Sequence, residues 1–78
     1  MIKENFQYVI TEYKYDDISS SIKEYIDLIN ETHNFNIKYC ISKKLNVYKE
    51  NVIHITIATD DQYQMGNIKR LLLRLFKK

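Results

Sequence analysis

The spacing of apolar residues switches between two periods along this 78-residue chain, and this switching limits the folds that the chain can adopt. Apolar and polar residues alternate from Phe6 to Thr11, as in a strand with one buried face. The alternation returns over Phe35–Ser42, and Val52–Thr59 is rich in β-branched residues. The intervening and final segments repeat apolar residues every three to four positions, which is typical of amphipathic helices. The sequence therefore predicts the order β-α-β-β-α.

The first helix is predicted from an apolar stripe formed by Ile18, Ile22, Tyr25, Ile26 and Ile29. The acidic pair Asp16–Asp17 precedes this stripe and is a candidate N-cap at the positive end of the helix dipole. Asn34 is expected to end the helix, because asparagine tolerates the left-handed conformation.

The second helix is predicted to run from Gln62 to the end of the chain, after an N-cap signal at Thr59–Asp61. Its expected buried stripe is Met65, Ile68, Leu72, Leu75 and Phe76. The polar segment between strands two and three leaves two positions open for the turn. The turn lies either at Lys43–Lys44 or at Lys49–Asn51, and the later position requires a long or bulged second strand.

These elements predict a single α+β domain over residues 1–78, with a three-stranded antiparallel sheet and both helices on one face. A right-handed crossover places strand three between the other two, which gives the order 1-3-2. The element order resembles a ferredoxin-like fold truncated before its fourth strand. We expect one core made of Ile10, Ile22, Ile26, Ile37, Ile55, Ile57, Ile68 and Leu72.

The order and length also resemble those of the DinI-like regulators of the bacterial DNA-damage response. Proteins of that family carry an acidic second helix, whereas the second helix here is basic. The resemblance therefore implies a fold and does not imply binding to a recombinase.

The charge and the single cysteine restrict the environment and the partners. Twelve Lys and Arg against ten Asp and Glu leave a net charge of +2, which does not by itself predict nucleic-acid binding. Cys40 has no second cysteine to pair with in the chain, which favours a reducing cytoplasm. The longest apolar run is Leu71–Leu73, so no segment is predicted to span a membrane.

The candidate catalytic and metal-binding residues do not form a complete set. Cys40, His33 and His54 provide too few ligands at suitable spacing for a zinc site, and a Cys-His nucleophile pair also needs an oxyanion hole. The acidic pairs Asp16–Asp17 and Asp60–Asp61 are explained as helix caps. We therefore expect a protein that is not an enzyme, with no cofactor, no metal and no small-molecule substrate.

The second helix carries the candidate binding surface. Four of its cations and a tyrosine lie on the solvent side of the helical wheel. Leu73 lies beside Lys69, and both Leu71 and Leu73 fall outside the centre of the buried stripe. Arginine and tyrosine are common at binding surfaces. The predicted partner-binding residues are Tyr63, Lys69, Arg70, Leu73, Arg74, Lys77 and Lys78.

Composition and size suggest a biological setting. Ile, Lys, Asn and Tyr together supply 36 of 78 residues, which is typical of AT-rich genomes such as those of many phages and plasmids. The leading hypothesis is a small cytoplasmic protein-binding module, encoded by a phage or mobile element, that inhibits a host protein or ribonucleoprotein complex in the manner of anti-CRISPR and other anti-defence proteins. The alternative is a nucleic-acid-binding regulator that uses the basic helix.

A second interaction surface is predicted at the first strand. The predicted sheet order leaves this strand with an unpaired edge, and its outward residues Gln7, Val9 and Thr11 carry no charge. We expect Leu71 and Leu73 on the same flank. A two-fold contact there would cover both features, so the sequence predicts a homodimer.

Overall fold

The computed structural model describes residues 1–76, and Lys77 and Lys78 lie outside the described part. The elements in chain order are β1 (Ile2–Ile10), α1 (Glu12–His33), β2 (Lys38–Leu45), β3 (Asn51–Thr59) and α2 (Gln62–Phe76). The central strand β3 pairs antiparallel with both others, which gives the order β1-β3-β2. The predicted α+β fold and its strand order are confirmed.

One core holds the sheet and the helices together. It contains side chains from both helices and from a single face of β3, so both helices cover the same face of the sheet. The predicted core residue Ile10 is only half-buried, because it is the last residue of β1, where the chain leaves the sheet. The buried members of this core are Ile22, Ile26, Ile37, Ile53, Ile55, Ile57, Met65, Ile68 and Leu72.

Helix α1 begins at Glu12, so the prediction that Asp16–Asp17 caps it is wrong. Thr11 is the N-cap residue, with extended backbone. Tyr15 and Ile18 are half-buried against the core and continue the apolar stripe toward the N-terminus. Packing of these side chains therefore favours an additional turn of helix, and the two aspartates lie inside α1 rather than before it.

The connection from α1 to β2 is fixed by an asparagine side chain. Asn34 ends the helix in the left-handed conformation (φ 58°, ψ 35°), as predicted. The amide of Asn30 then accepts a hydrogen bond from Ile37 N at 2.9 Å and donates one to Ile37 O at 3.0 Å. The side chain thus bonds both backbone groups of Ile37, and the strand begins at Lys38 rather than at the predicted Phe35.

The turn between β2 and β3 occupies the later of the two predicted positions. β2 continues to Leu45 and keeps an unbroken register with β3, so the strand is long and has no bulge. The side-chain oxygen of Asn46 accepts hydrogen bonds from the amides of Tyr48 and Glu50, each at 2.9 Å. Lys49 adopts positive φ (60°) in this turn. Asn46 therefore organises a tight loop through its own side chain.

Helix α2 begins where the sequence predicted. The carboxylate of Asp61 accepts hydrogen bonds from the amides of Tyr63 (2.9 Å) and Gln64 (3.3 Å), which is N-capping geometry. The helix contacts both β3 and β1. Within residues 1–76, no helix is long and apolar enough to cross a membrane.

Candidate functional site

The solvent side of α2 presents three of the predicted binding residues together. Tyr63, Arg70 and Arg74 follow helical spacing along one line of the helix and are all exposed, with Tyr63 at 72%. The guanidinium of Arg70 is 3.5 Å from the side-chain oxygen of Asn67 on the same line. We call Tyr63, Arg70 and Arg74 the cationic stripe. It offers two guanidinium groups and one aromatic ring to a partner.

The structure separates Lys69 and Leu73 from this stripe. Lys69 lies on the side of α2 that faces β1, where its ammonium group is 2.8 Å from a carboxylate oxygen of Glu4. Leu73 follows Lys69 by four residues, one turn along the helix, and is 67% exposed, as predicted. Leu71 is half-buried and lies on the other side of the helix, so the expectation that it shares a flank with Leu73 is wrong. The remaining predicted residues, Lys77 and Lys78, lie outside the described residues.

The neighbouring helix α1 carries the opposite charge. Within its bounds are six Asp and Glu side chains and two Lys, whereas α2 contains three cations and no carboxylate between Gln62 and Phe76. The two helices contact each other, so the helix layer as a whole carries both signs of charge. A surface divided in this way suits a partner with both signs of charge better than a uniformly anionic polymer.

The face of the sheet opposite the helices is basic and polar. Lys3, Lys38 and Lys44 are exposed on it, and His54 lies half-buried in its centre. The register aligns Lys3 and Lys38 with Ala58 in one row across the sheet. No Asp or Glu falls on the alternate strand positions that form this face in residues 1–76. The open face therefore has modest positive charge but no exposed aromatic ring for stacking with a base.

The candidate metal and nucleophile residues do not meet as a site. Cys40 and His54 share the open face, but the residue opposite Cys40 is Thr56, and His54 lies opposite Ser42. His33 lies at the end of α1, on the helix side of the sheet. In the part of the chain that the structure describes, no three His, Cys, Asp or Glu side chains come close enough to hold a metal ion.

The two acidic pairs lie at opposite ends of the sheet, as predicted. Asp60 is 3.7 Å from the N-terminal ammonium group of Met1, beside the start of β1. The pair Asp16–Asp17 follows the end of β1. This separation excludes a shared acid-base or two-metal arrangement of the four carboxylates.

A cleft of about 600 Å³ opens where β1 ends near the last turn of α2. Ile10, Ile18 and Leu75 supply its apolar walls. Its charged lining residues are of mixed sign: Glu12, Lys14, Lys49 and Glu50. The cleft therefore offers no concentrated charge to a small ligand.

Three polar contacts attach β2 to α1. Besides the Asn30–Ile37 pair, Lys43 lies 3.5 Å from a carboxylate oxygen of Glu12, and the Tyr39 hydroxyl donates to Asp27 at 3.2 Å. Partial burial raises the pKa of the Tyr39 hydroxyl, and the negative charge and hydrogen bond of Asp27 raise it further. Tyr39 therefore stays protonated above the pH at which an exposed tyrosine ionises.

Two of the three residues predicted for the dimer edge lie on β1. Gln7 and Val9 are exposed residues of β1, and no strand in residues 1–76 pairs with the outer edge of β1. Thr11 lies beyond the strand, so its placement on the edge is wrong: the chain has already turned to enter α1 there. Sequence reasoning missed Glu4 as part of this flank, because the contact of Glu4 with Lys69 is long-range.

The comparisons with known proteins add no functional information. Neither a protein-family model, nor a curated protein, nor a solved structure matches this chain.

Proposed function

We propose that this chain is a protein-binding module that acts by occupying a surface of a larger complex rather than by catalysis. The observation that carries the proposal is the cationic stripe of Tyr63, Arg70 and Arg74, exposed on one line of a well-packed helix. Tyr and Arg are the residue types that most often dominate binding energy at protein interfaces. The buried stripe of α2 holds the helix rigidly, so little entropy is lost when a partner binds.

The surroundings of the stripe favour a protein over a nucleic acid. Lys69, which would extend the positive surface, is paired with Glu4. Helix α1 contacts α2 and carries six carboxylates against two lysines, so the helix layer does not form a continuous basic face for a phosphate backbone.

The biological setting remains a hypothesis. We propose that the partner belongs to a host protein or ribonucleoprotein complex, and that the chain is an inhibitor encoded by a phage or mobile element, of the anti-CRISPR or anti-defence kind. The exposed, unpaired thiol of Cys40 is consistent with action in a reducing cytoplasm. Co-expression with individual defence systems of the host, scored by phage survival, tests this setting.

Affinity capture from a nuclease-treated host lysate tests the proposed surface. The bait is the tagged chain, and the test variant is Arg70→Glu with Arg74→Glu. The matched control is Lys14→Glu with Lys23→Glu, which makes the same change of charge on α1, where both lysines are exposed. We expect a protein that the wild type and the control retain and that the test variant loses.

Two results would contradict the proposal. One is equal retention of every captured protein by the Arg70/Arg74 variant. The other is direct binding of purified chain to DNA or RNA, with a salt dependence that the same variant flattens, because this slope reports the number of neutralised phosphates. The second result would support the nucleic-acid alternative.

A further inference from the structure

The outer edge of β1 is long, accessible and largely uncharged. The strand has nine residues, about 30 Å at the usual rise, and it contains no proline. Its charges are confined to Lys3 and Glu4, so the segment from Asn5 to Ile10 has none. An unpaired strand edge of this kind pairs readily with another strand, and native proteins usually protect such edges.

Helix α2 places an exposed leucine beside the middle of this edge. Lys69 contacts Glu4, and the ring of Phe76 stacks on Tyr8 with centroids 3.9 Å apart. These contacts show that α2 runs alongside β1 in the same direction. Leu73 lies between the two contacts on the same side of the helix, and Phe6 lies between Glu4 and Tyr8 on the same face of the strand. Leu73 is therefore level with Phe6.

We propose that two copies of this chain pair through the edge of β1, antiparallel, about a two-fold axis at Phe6. The axis is perpendicular to the sheet, so the two sheets join as one six-stranded sheet with all four helices on one face. Phe6 then faces Phe6 of the second copy, and Leu73 meets Leu73 of the second copy above it. This proposal does not depend on the proposed function, because it leaves the cationic stripe uncovered.

The residues that this register brings together are compatible. Glu4 lies opposite Tyr8 of the second copy, Lys3 opposite Val9, and Asn5 opposite Gln7, so no like charges oppose each other. A cross-strand aromatic pair such as Phe6 with Phe6 stabilises an antiparallel sheet. A two-fold axis at Glu4 would instead place two carboxylates opposite each other, which is destabilising.

The helix positions fit the same arrangement. Because α2 contacts both β3 and β1, its axis lies roughly half a strand spacing inward of β1. The two-fold axis lies half a spacing outward, so the α2 axes of the two copies are about 10 Å apart at a strand spacing of about 4.8 Å. Packed helices prefer about 8–10 Å. The flank covers at most about 600 Å² per copy, because β1 is about 30 Å long and the shortest extent of the molecule is 20 Å, and this area is near the lower end for a specific dimer.

Sedimentation at tens of micromolar protein tests the pairing. The wild type should have twice the 9.5 kDa mass of one chain. Leu73→Lys should reduce it to the single-chain mass, because two ammonium groups would meet at the axis. The matched control is Leu45→Lys on β2, the other edge strand, which replaces a leucine of equal exposure, 67%. This control should remain a dimer with an unchanged far-UV spectrum.

A disulfide experiment in a Cys40→Ser background tests the register. Chains with Asn5→Cys and chains with Gln7→Cys should form a covalent dimer when they are mixed and oxidised, because opposite Cβ atoms lie about 4.5–5.5 Å apart. Either variant alone should form several-fold less covalent dimer. In such a sample the two introduced cysteines are diagonal neighbours about 7–8 Å apart, beyond disulfide reach. Three results would overturn the proposal. The first is a wild type of single-chain mass, and the second is a dimer that Leu45→Lys dissociates and Leu73→Lys does not. The third is equal cross-linking in the mixed and single samples.

Discussion

The two outer strands of the sheet differ in how their edges are protected. β2 carries Lys38, Lys43 and Lys44 within its eight residues, whereas β1 has no charge from Asn5 to Ile10. α1 also attaches to β2 through polar side chains, among them the carboxylate of Glu12, which is 3.5 Å from Lys43. On the β1 side, α2 instead presents an exposed leucine.

The difference in charge agrees with the proposal that β1 pairs with a second copy and that β2 does not. Lysines on an edge strand oppose association, because a second strand would have to approach an array of positive charge. An uncharged edge beside exposed apolar surface has no such protection. The three lysines of β2, against one near the start of β1, therefore distinguish the two edges.

The largest expected effect comes from a substitution in the buried central strand, which pairs with both edge strands. Ile55 is 1% exposed and lies opposite Phe6 on β1 and Ile41 on β2. Ile55→Ala should lower the free energy of unfolding by about 2–5 kcal/mol, because it leaves a cavity between the sheet and the helices. Urea denaturation measures this loss. Val47→Ala, at an exposed position outside β1, is the control, and similar losses in the two variants would contradict the core assignment.

A smaller loss is expected when β2 is released from α1. Asn30→Ala removes both hydrogen bonds to the nearly buried backbone of Ile37 and should cost about 1–3 kcal/mol. Amide exchange should become faster near the start of β2 and stay unchanged in β1. The exposed Asn36 allows Asn36→Ala as a matched control, and equal behaviour of the two variants would show that the Asn30 contacts contribute nothing.

The same strand should respond to high pH through Tyr39. Because the pKa of Tyr39 is raised in the folded state, its contribution to stability is complete below the unfolded pKa near 10 and is lost as the pH rises through the folded pKa. The unfolding free energy of the wild type should therefore fall more steeply above about pH 10 than that of Tyr39→Phe. Tyr13→Phe, at an exposed position, should keep the wild-type slope. Identical slopes in the wild type and Tyr39→Phe would refute this prediction.

The smallest expected effect is a gain in stability from a substitution in α2. A Cβ atom at Gly66 would meet no atom within 4 Å, and the residue does not have positive φ. Gly66→Ala should therefore raise the unfolding free energy by about 0.5–1 kcal/mol, because it reduces the entropy of the unfolded chain. Thermal denaturation tests this gain, and a lowered midpoint would mean that α2 requires the flexibility of glycine.

The parts of the fold with local signals were predictable from the sequence. Alternation in β3, the left-handed Asn34 and the capping Asp61 each depend on neighbouring residues alone, and the structure confirms all three. The start of α1 was not predictable in the same way, because tertiary burial of Tyr15 and Ile18 outweighs the capping signal of the aspartates.

The sequence predicted which residues are exposed on the candidate surfaces, but not how those residues are arranged. The helical wheel identified the cations of α2 and the exposure of Leu73. It did not predict the pairing of Lys69 with Glu4, because these two residues lie far apart in the chain. The position of Leu73 beside Phe6 likewise depends on how α2 lies over β1, which no local pattern encodes.

Amide hydrogen exchange at low-micromolar and near-millimolar protein concentrations tests the difference between the two edges most directly. A strand that pairs with a second copy gains protection as concentration rises, whereas an edge protected by charge does not. We expect increased protection in β1, between Asn5 and Ile10, with β2 unchanged from Lys38 to Leu45. Increased protection in β2, or none in either strand, would contradict the conclusion that β1 is the pairing edge.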